Sequence, residues 1–287
     1  MRLHLSRRLL WRTSAAVAAS AALTIGSISA AAAGTAAGRT IGPGTRFFVP
    51  PPSDGAPQQI VSLLKSHDPK DAALIAKMES IPRAVWFTTG TPAQVKQQAR
   101  QTMAEAALER AVPVLVAYDI PGRDCAQYSA GGALDEASYN AWIDSFAAGI
   151  GNRQAVVILE PDSLGLLPSN CGGPSANYPF SDSERYAEIQ HAVGALEADP
   201  GVSVYLDGTH SAWLGVGDMT QRLLTAGVQQ AQGFFVNLSN YQPTPNLVDY
   251  GTWISDCIAM VTQNSFNPSN CASQYYPANP SDFSTWA

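Results

Sequence analysis

Two carboxylates, Glu160 and Asp162, stand where a buried strand should run out. The run Ala155-Val156-Val157-Ile158-Leu159 is apolar throughout and rich in β-branched residues, the pattern of a strand covered on both faces of a parallel sheet. Pro161 then ends the ladder, because it has no N–H to donate. In α/β barrels the carboxyl edge of the sheet is where chemistry is built. Taken alone, Asp162 has a blander reading as the cap of a following helix. The same arrangement recurs along the chain, however. Tyr118, Asp119 and Asp124 follow one apolar run, Asp207, His210 and Trp213 another, Asn240 and Tyr241 a third, and Trp86 lies near the end of a fourth. Aromatic rings stack on the apolar faces of pyranose rings, while Asp, Asn and His bond to sugar hydroxyls. Several carboxylates with no phosphate-binding glycine loop, no Ser/His pair and no metal-ligand spacing suit acid–base hydrolysis of a glycosidic bond.

Those side chains need a scaffold that brings strand ends to one rim. Strands are predicted at 84–88, 112–119, 155–160, 202–207 and 233–238, and helices at 68–80, 91–110, 138–149, 181–198, 218–226 and 247–262. The helix at 91 opens on Thr91-Pro92, and the helix at 181 on a Ser181-x-x-Glu184 capping box. In the first helix Ala73, Ile75, Met78 and Ile81 are spaced for one face. Residues 34–58, rich in Gly, Ala and Pro, read as an extended lead-in. Strands alternating with helices argue for βαβ units and a parallel sheet or barrel, although a closed (β/α) barrel needs more than five strands.

With 287 residues, 46% hydrophobic and 14% charged, the chain suits one large α/β domain with a sizeable core. A formal charge of −6 argues against a nucleic-acid partner. Residues 1–33 read as a signal peptide: Arg2, Arg7, Arg8 and Arg12 precede an Ala-rich run, and Ala30 to Ala33 offer a cleavage site. Ser6-Arg7-Arg8 also resembles a twin-arginine signal. The run is too short for a spanning helix, so the expectation is a secreted protein, free of the membrane after cleavage and monomeric. Cleavage removes four Arg, taking the charge from −6 to −6 − 4 = −10. Residues 34–287 then form the catalytic domain. The four cysteines, Cys125, Cys171, Cys257 and Cys271, favour two disulfides in one of three connectivities. With no C-x-x-C pair and scattered histidines, neither a metal nor a cofactor is expected.

Three blocks carry a resemblance. Ala117-Tyr118-Asp119-Ile120-Pro121-Gly122-Arg123-Asp124-Cys125, Leu159-Glu160-Pro161-Asp162-Ser163-Leu164 and Tyr205-Leu206-Asp207-Gly208-Thr209-His210-Ser211-Ala212-Trp213 resemble signature blocks of glycoside hydrolase family six. That family comprises β-1,4-glucanases, both endoglucanases and cellobiohydrolases. Order and spacing match from about Arg46 onward. The resemblance implies a distorted (β/α) barrel that hydrolyses cellulose, related β-glucans or cello-oligosaccharides with inversion. By position, Asp162 would be the general acid and Asp124 the neighbouring carboxylate that raises its pKa. Tyr118 would lie beneath the distorted sugar ring, Trp86 and Trp213 would be stacking platforms, and Asp207, His210 and Asn240 would hold hydroxyls. Cys125–Cys171 would match the family's first disulfide, and Cys257–Cys271 would close a short local loop. Ala130 stands where the family usually has a Ser that helps hold the attacking water, and the adjacent Ser129 is expected to point elsewhere. Family members also continue past the position of Ala287, through a block that holds the proposed base. Nothing in 242–287 matches that block, so the resemblance implies a barrel shortened at its C-terminus, with the acid half of the site present. The competing expectation is a non-catalytic glucan-binding remnant that keeps the aromatic cleft.

Overall fold

Five short strands lie side by side in the order in which the chain makes them. A computed structural model describes residues 41–238 and 240–274. They belong to the compact unit Ala36–Ala287, and the signal-peptide reading of residues 1–33 lies outside them. The strands are β1 (Val85–Phe87), β2 (Val114–Ala117), β3 (Ala155–Leu159), β4 (Val202–Asp207) and β5 (Gly233–Phe235), all parallel. Helices α1 (Ala56–Lys65) and α2 (Pro69–Glu79) precede β1, and α3 (Pro92–Leu108), α4 (Glu136–Ile150), α5 (Asp182–Glu197), α6 (Val216–Thr225) and α7 (Thr244–Asn264) each follow a strand. This is an α/β fold with the sequential winding of a (β/α) barrel, as expected. Because the strands are parallel and in sequence order, all five carboxyl ends open onto one rim.

The elements form where local chemistry says they should. Thr91 caps α3 and Ser181 caps α5, each in a reciprocal capping box with Gln94 and Glu184. Apolar side chains of β2, β3 and β4 share one buried core with those of α4, where Tyr139, Trp142 and Phe146 stack in a ladder and Phe146 meets Phe87 of β1. Both disulfides join the pairs expected, Cys125–Cys171 and Cys257–Cys271.

Two expectations fail at the N-terminal side. The lead-in stops early: α1 begins at Ala56, after Gly55 in a left-handed conformation (φ 84°) with no capping side chain. A helix that starts without Ser, Thr, Asp or Asn gives no start signal in sequence. The face assigned to the next helix is also displaced. Only Ala72 of α2 is buried, whereas Ala73 is exposed, as are Met78 and Ile81 at 64% and 53%.

Candidate active site

The rim concentrates strained backbone. Asp124, Cys125, Ala126, Glu160, Asp162, Thr209, Asn237 and Tyr241, none of them glycine, have φ between 47° and 71°, and all follow a strand end. Such conformations cost of order 1–3 kcal/mol each and persist only where the surroundings over-determine them, as they do at functional sites.

The candidate side chains stand on those exits. Trp86 on β1 is 43% exposed and meets the Tyr118 ring edge-on, with centroids 5.8 Å apart. Tyr118 follows β2 and is buried under the Arg123 guanidinium, 4.6 Å above its ring. Asp124 accepts a hydrogen bond from the Ser129 N–H at 2.6 Å and is fixed beside the Cys125–Cys171 bridge. Asp162 follows β3 and is half-buried. Asp207 ends β4 wholly buried, with Oδ1 accepting from the Thr209 N–H at 2.8 Å, so it lies under the rim rather than open to it. His210 Nδ1 accepts from the Ala212 N–H at 3.2 Å, and its ring lies 5.5 Å from that of Trp213. Trp213 presses on Gly165 in the β3 exit turn, where a Cβ would come within 2.7 Å of the indole. Asn240, after β5, is held by its side-chain amide donating to Leu238 O at 2.9 Å.

Electrostatics join these exits into one site. Burial raises the Asp162 pKa and the charge of Asp124 raises it further, while a hydrogen bond from Asn240 pulls it down. Burial also raises the Tyr118 pKa, and Asp162 and Asp124 both add to that shift. Asp207 is pushed up to about 7 by burial, against the Thr209 N–H, with the Asp162 charge adding to the rise. Asp162 and Asp207 are thus both poorly solvated and the Asp162 charge acts on Asp207, while Asp124 acts on Asp162; like charges so placed favour a protonated carboxyl. Burial lowers the His210 pKa, which favours a neutral imidazole able to donate and accept. Ser129 departs from expectation: its N–H bonds Asp124, and its hydroxyl interacts with Tyr118, so it faces the site.

Sequence reading missed the residues beneath the rim. Arg123 donates to Thr88 O at 2.8 Å, to Ser129 O at 2.8 Å and to Tyr118 O, tying the exits of β1 and β2. Arg222 of α6 gathers Leu164 O at 2.7 Å, Gly165 O at 3.1 Å and Asn170 Oδ1 at 3.2 Å. Glu160 and Arg185 are buried in the same layer. A buried arginine on a helix leaves no mark in a periodicity pattern; Glu160, two residues before Asp162, was visible but had no role.

The chain is similar to known proteins. The model for glycosyl hydrolases family 6 matches residues 43–265. Endoglucanase A of Thermobispora bispora is 35% identical over 218 residues, covering 74% of this chain and 45% of that protein. Endoglucanase 1 of Streptomyces halstedii is 38% identical over 195 residues, 67% of this chain and 58% of that one. The chain thus spans about half the length of these relatives. An endoglucanase from Mycobacterium tuberculosis, solved in complex with methyl-cellobiosyl-4-deoxy-4-thio-β-D-cellobioside, superimposes with a TM-score of 0.66 at 33% identity, over 76% of this chain and 70% of that one. With its strand-exit carboxylates, its parallel sheet and a family match across most of its length, this chain belongs to glycosyl hydrolases family 6.

Proposed function

We propose that this chain is a secreted glycoside hydrolase that cleaves β-1,4-glucosidic bonds in cellulose or related β-glucans with inversion, Asp162 acting as general acid. The observation that carries the reading is the environment of Asp162: a half-buried carboxyl at a strand exit, raised in pKa by burial and by Asp124 beside it. A proton held there can pass to the leaving glycosidic oxygen as the C–O bond breaks. In inversion, water attacks the opposite face and loses its proton to a second carboxylate about 6.5–9.5 Å from the acid. Tyr118, clamped under Arg123, offers a firm floor for the ring that must distort. Trp86 and Trp213 present indole faces to flanking sugars, and His210 and Asn240 present hydrogen-bonding groups. Asp207, buried below, supports Asp162 and the His210 turn.

Export is supported by the basic, apolar and small-residue order of residues 1–33, which leaves 34–287 as the catalytic domain. The relatives' endoglucanase names and the thio-oligosaccharide in the solved structure support a cello-oligosaccharide-sized substrate. A test follows from the stereochemistry. Proton NMR of cello-oligosaccharide digestion should show the α-anomer of the new reducing end first. An initial β-anomer would contradict inversion, and an unchanged oligosaccharide would contradict hydrolysis.

A further inference from the structure

Two buried ionisable side chains cross beneath the candidate site without lining it. Arg185, on α5, is 2% exposed, and its guanidinium is given over to main-chain carbonyls. Nη1 donates to Ser163 O at 2.9 Å and Leu166 O at 3.2 Å, and Nη2 donates to Pro121 O at 2.8 Å. The first two acceptors belong to the turn that begins at Asp162, and the third to the loop that leads to Asp124. Glu160, fully buried at the end of β3, makes the converse tie. Its carboxyl accepts the Asp119 N–H on both oxygens, at 3.1 and 3.0 Å, and the Ile120 N–H at 3.1 Å. One cation gathering carbonyls and one carboxyl gathering N–H groups therefore lock the same two exits together.

Stability alone is a poor reason for this arrangement. The only carboxylate paired with Arg185 among the described residues is Glu188, at 3.5 Å, and apolar replacement of buried ion pairs is often neutral or stabilising. A planar fork offers something an apolar side chain does not: a fixed span between two loops. We propose that Arg185 and Glu160 are positioning residues that set the separation of the Asp124 and Asp162 carboxyls. The proposal rests on the reading of Asp162 as the general acid. Asp162 is faced by Asp124 and Tyr118 from the β2 exit, Asp207 from the β4 exit and Asn240 from the β5 exit. Neither Arg185 nor Glu160 is among the groups that shift its pKa, so their influence is through position.

The test is the titration of Asp162 itself, by carbon NMR of the full chain labelled at aspartate carboxyls, with the resonance assigned by its loss in Asp162→Asn. Arg185→Lys and Glu160→Asp each keep the ionisable group and change the reach. The expected result is a fall of the Asp162 midpoint toward the ordinary carboxyl range in either variant, because loosening the bracket admits water and separates the two carboxyls. Wild-type titration in both folded variants would overturn the proposal, and so would failure of both to fold, which would make them stability residues only. If one alone folds, its titration decides. Hydrolysis of a soluble β-glucan by the unaltered chain, measured in parallel, separates the two ideas. No hydrolysis with a shifted titration removes the acid and keeps the bracket; hydrolysis with unshifted titrations removes the bracket and keeps the acid.

Discussion

The acid role proposed for Asp162 needs a carboxyl pKa above the ordinary range, and burial raises it, opposed by a hydrogen bond from Asn240 and helped by the Asp124 charge. The direction of a test at Asp124 follows. Asp124→Asn removes the like charge, so the Asp162 pKa falls and the protonated form is lost at lower pH. The alkaline limb of the kcat–pH profile should move toward acid. An unmoved limb would show that Asp124 does not act on the acid. Stacking is tested separately: Trp86→Ala or Trp213→Ala should weaken glucan binding by about tenfold, roughly 1.4 kcal/mol, in affinity electrophoresis, whereas Asp162→Asn should leave it unchanged. These residues were legible because each stands on or just after a strand whose end the sequence marks. Arg123, Arg185 and Arg222 were not, because their partners are main-chain carbonyls brought near only by the fold.

At the scale of elements, the loop after β2 carries most of the precision. It is pinned by Arg123, by Ser129 N–H on Asp124 and by the Cys125–Cys171 bridge. Gly132 closes it with φ 93°, and a Cβ there would lie 2.0 Å from Ile120 O. Gly132→Ala should therefore cost stability in a urea melt, by about 1–3 kcal/mol for the strained backbone alone. The double variant Cys125→Ser/Cys171→Ser should lose about 2–4 kcal/mol in the same measurement. An unchanged midpoint in either case would show the loop to be held by other means. The strands and six of the seven α-helices among the described residues were readable from apolar runs, caps and good helix formers. α1 was not, since Gly55 gives no capping side chain and Pro57 hid the helix within a proline-rich stretch.

The whole molecule holds several carboxyls that resist ionisation. Burial pushes Asp119 and Asp207 to about 7, and Glu160 and Glu188 to about 8. In the unfolded chain such groups titrate near 4. Below that pH both states are protonated; above it the unfolded chain releases protons that the folded one keeps. Stability from this source is therefore complete near pH 4 and declines as pH rises through 7 to 8. Urea midpoints should be higher at pH 5 than at pH 8, and the reverse order would show these carboxyls to be better solvated than the structure indicates. The fold class was legible at this scale from the alternation of strands and helices alone. The interior pairing of Glu160 with the β2 exit was not, because nothing in a strand's sequence says which neighbour its last side chain will reach. The central claim, that Asp162 is the acid of a working glucanase, is met most directly by reducing-sugar release from carboxymethylcellulose by this chain beside its Asp162→Asn variant. Release by the former and a loss of about 10²–10⁴-fold in the latter is the predicted result. Equal release from both would contradict it.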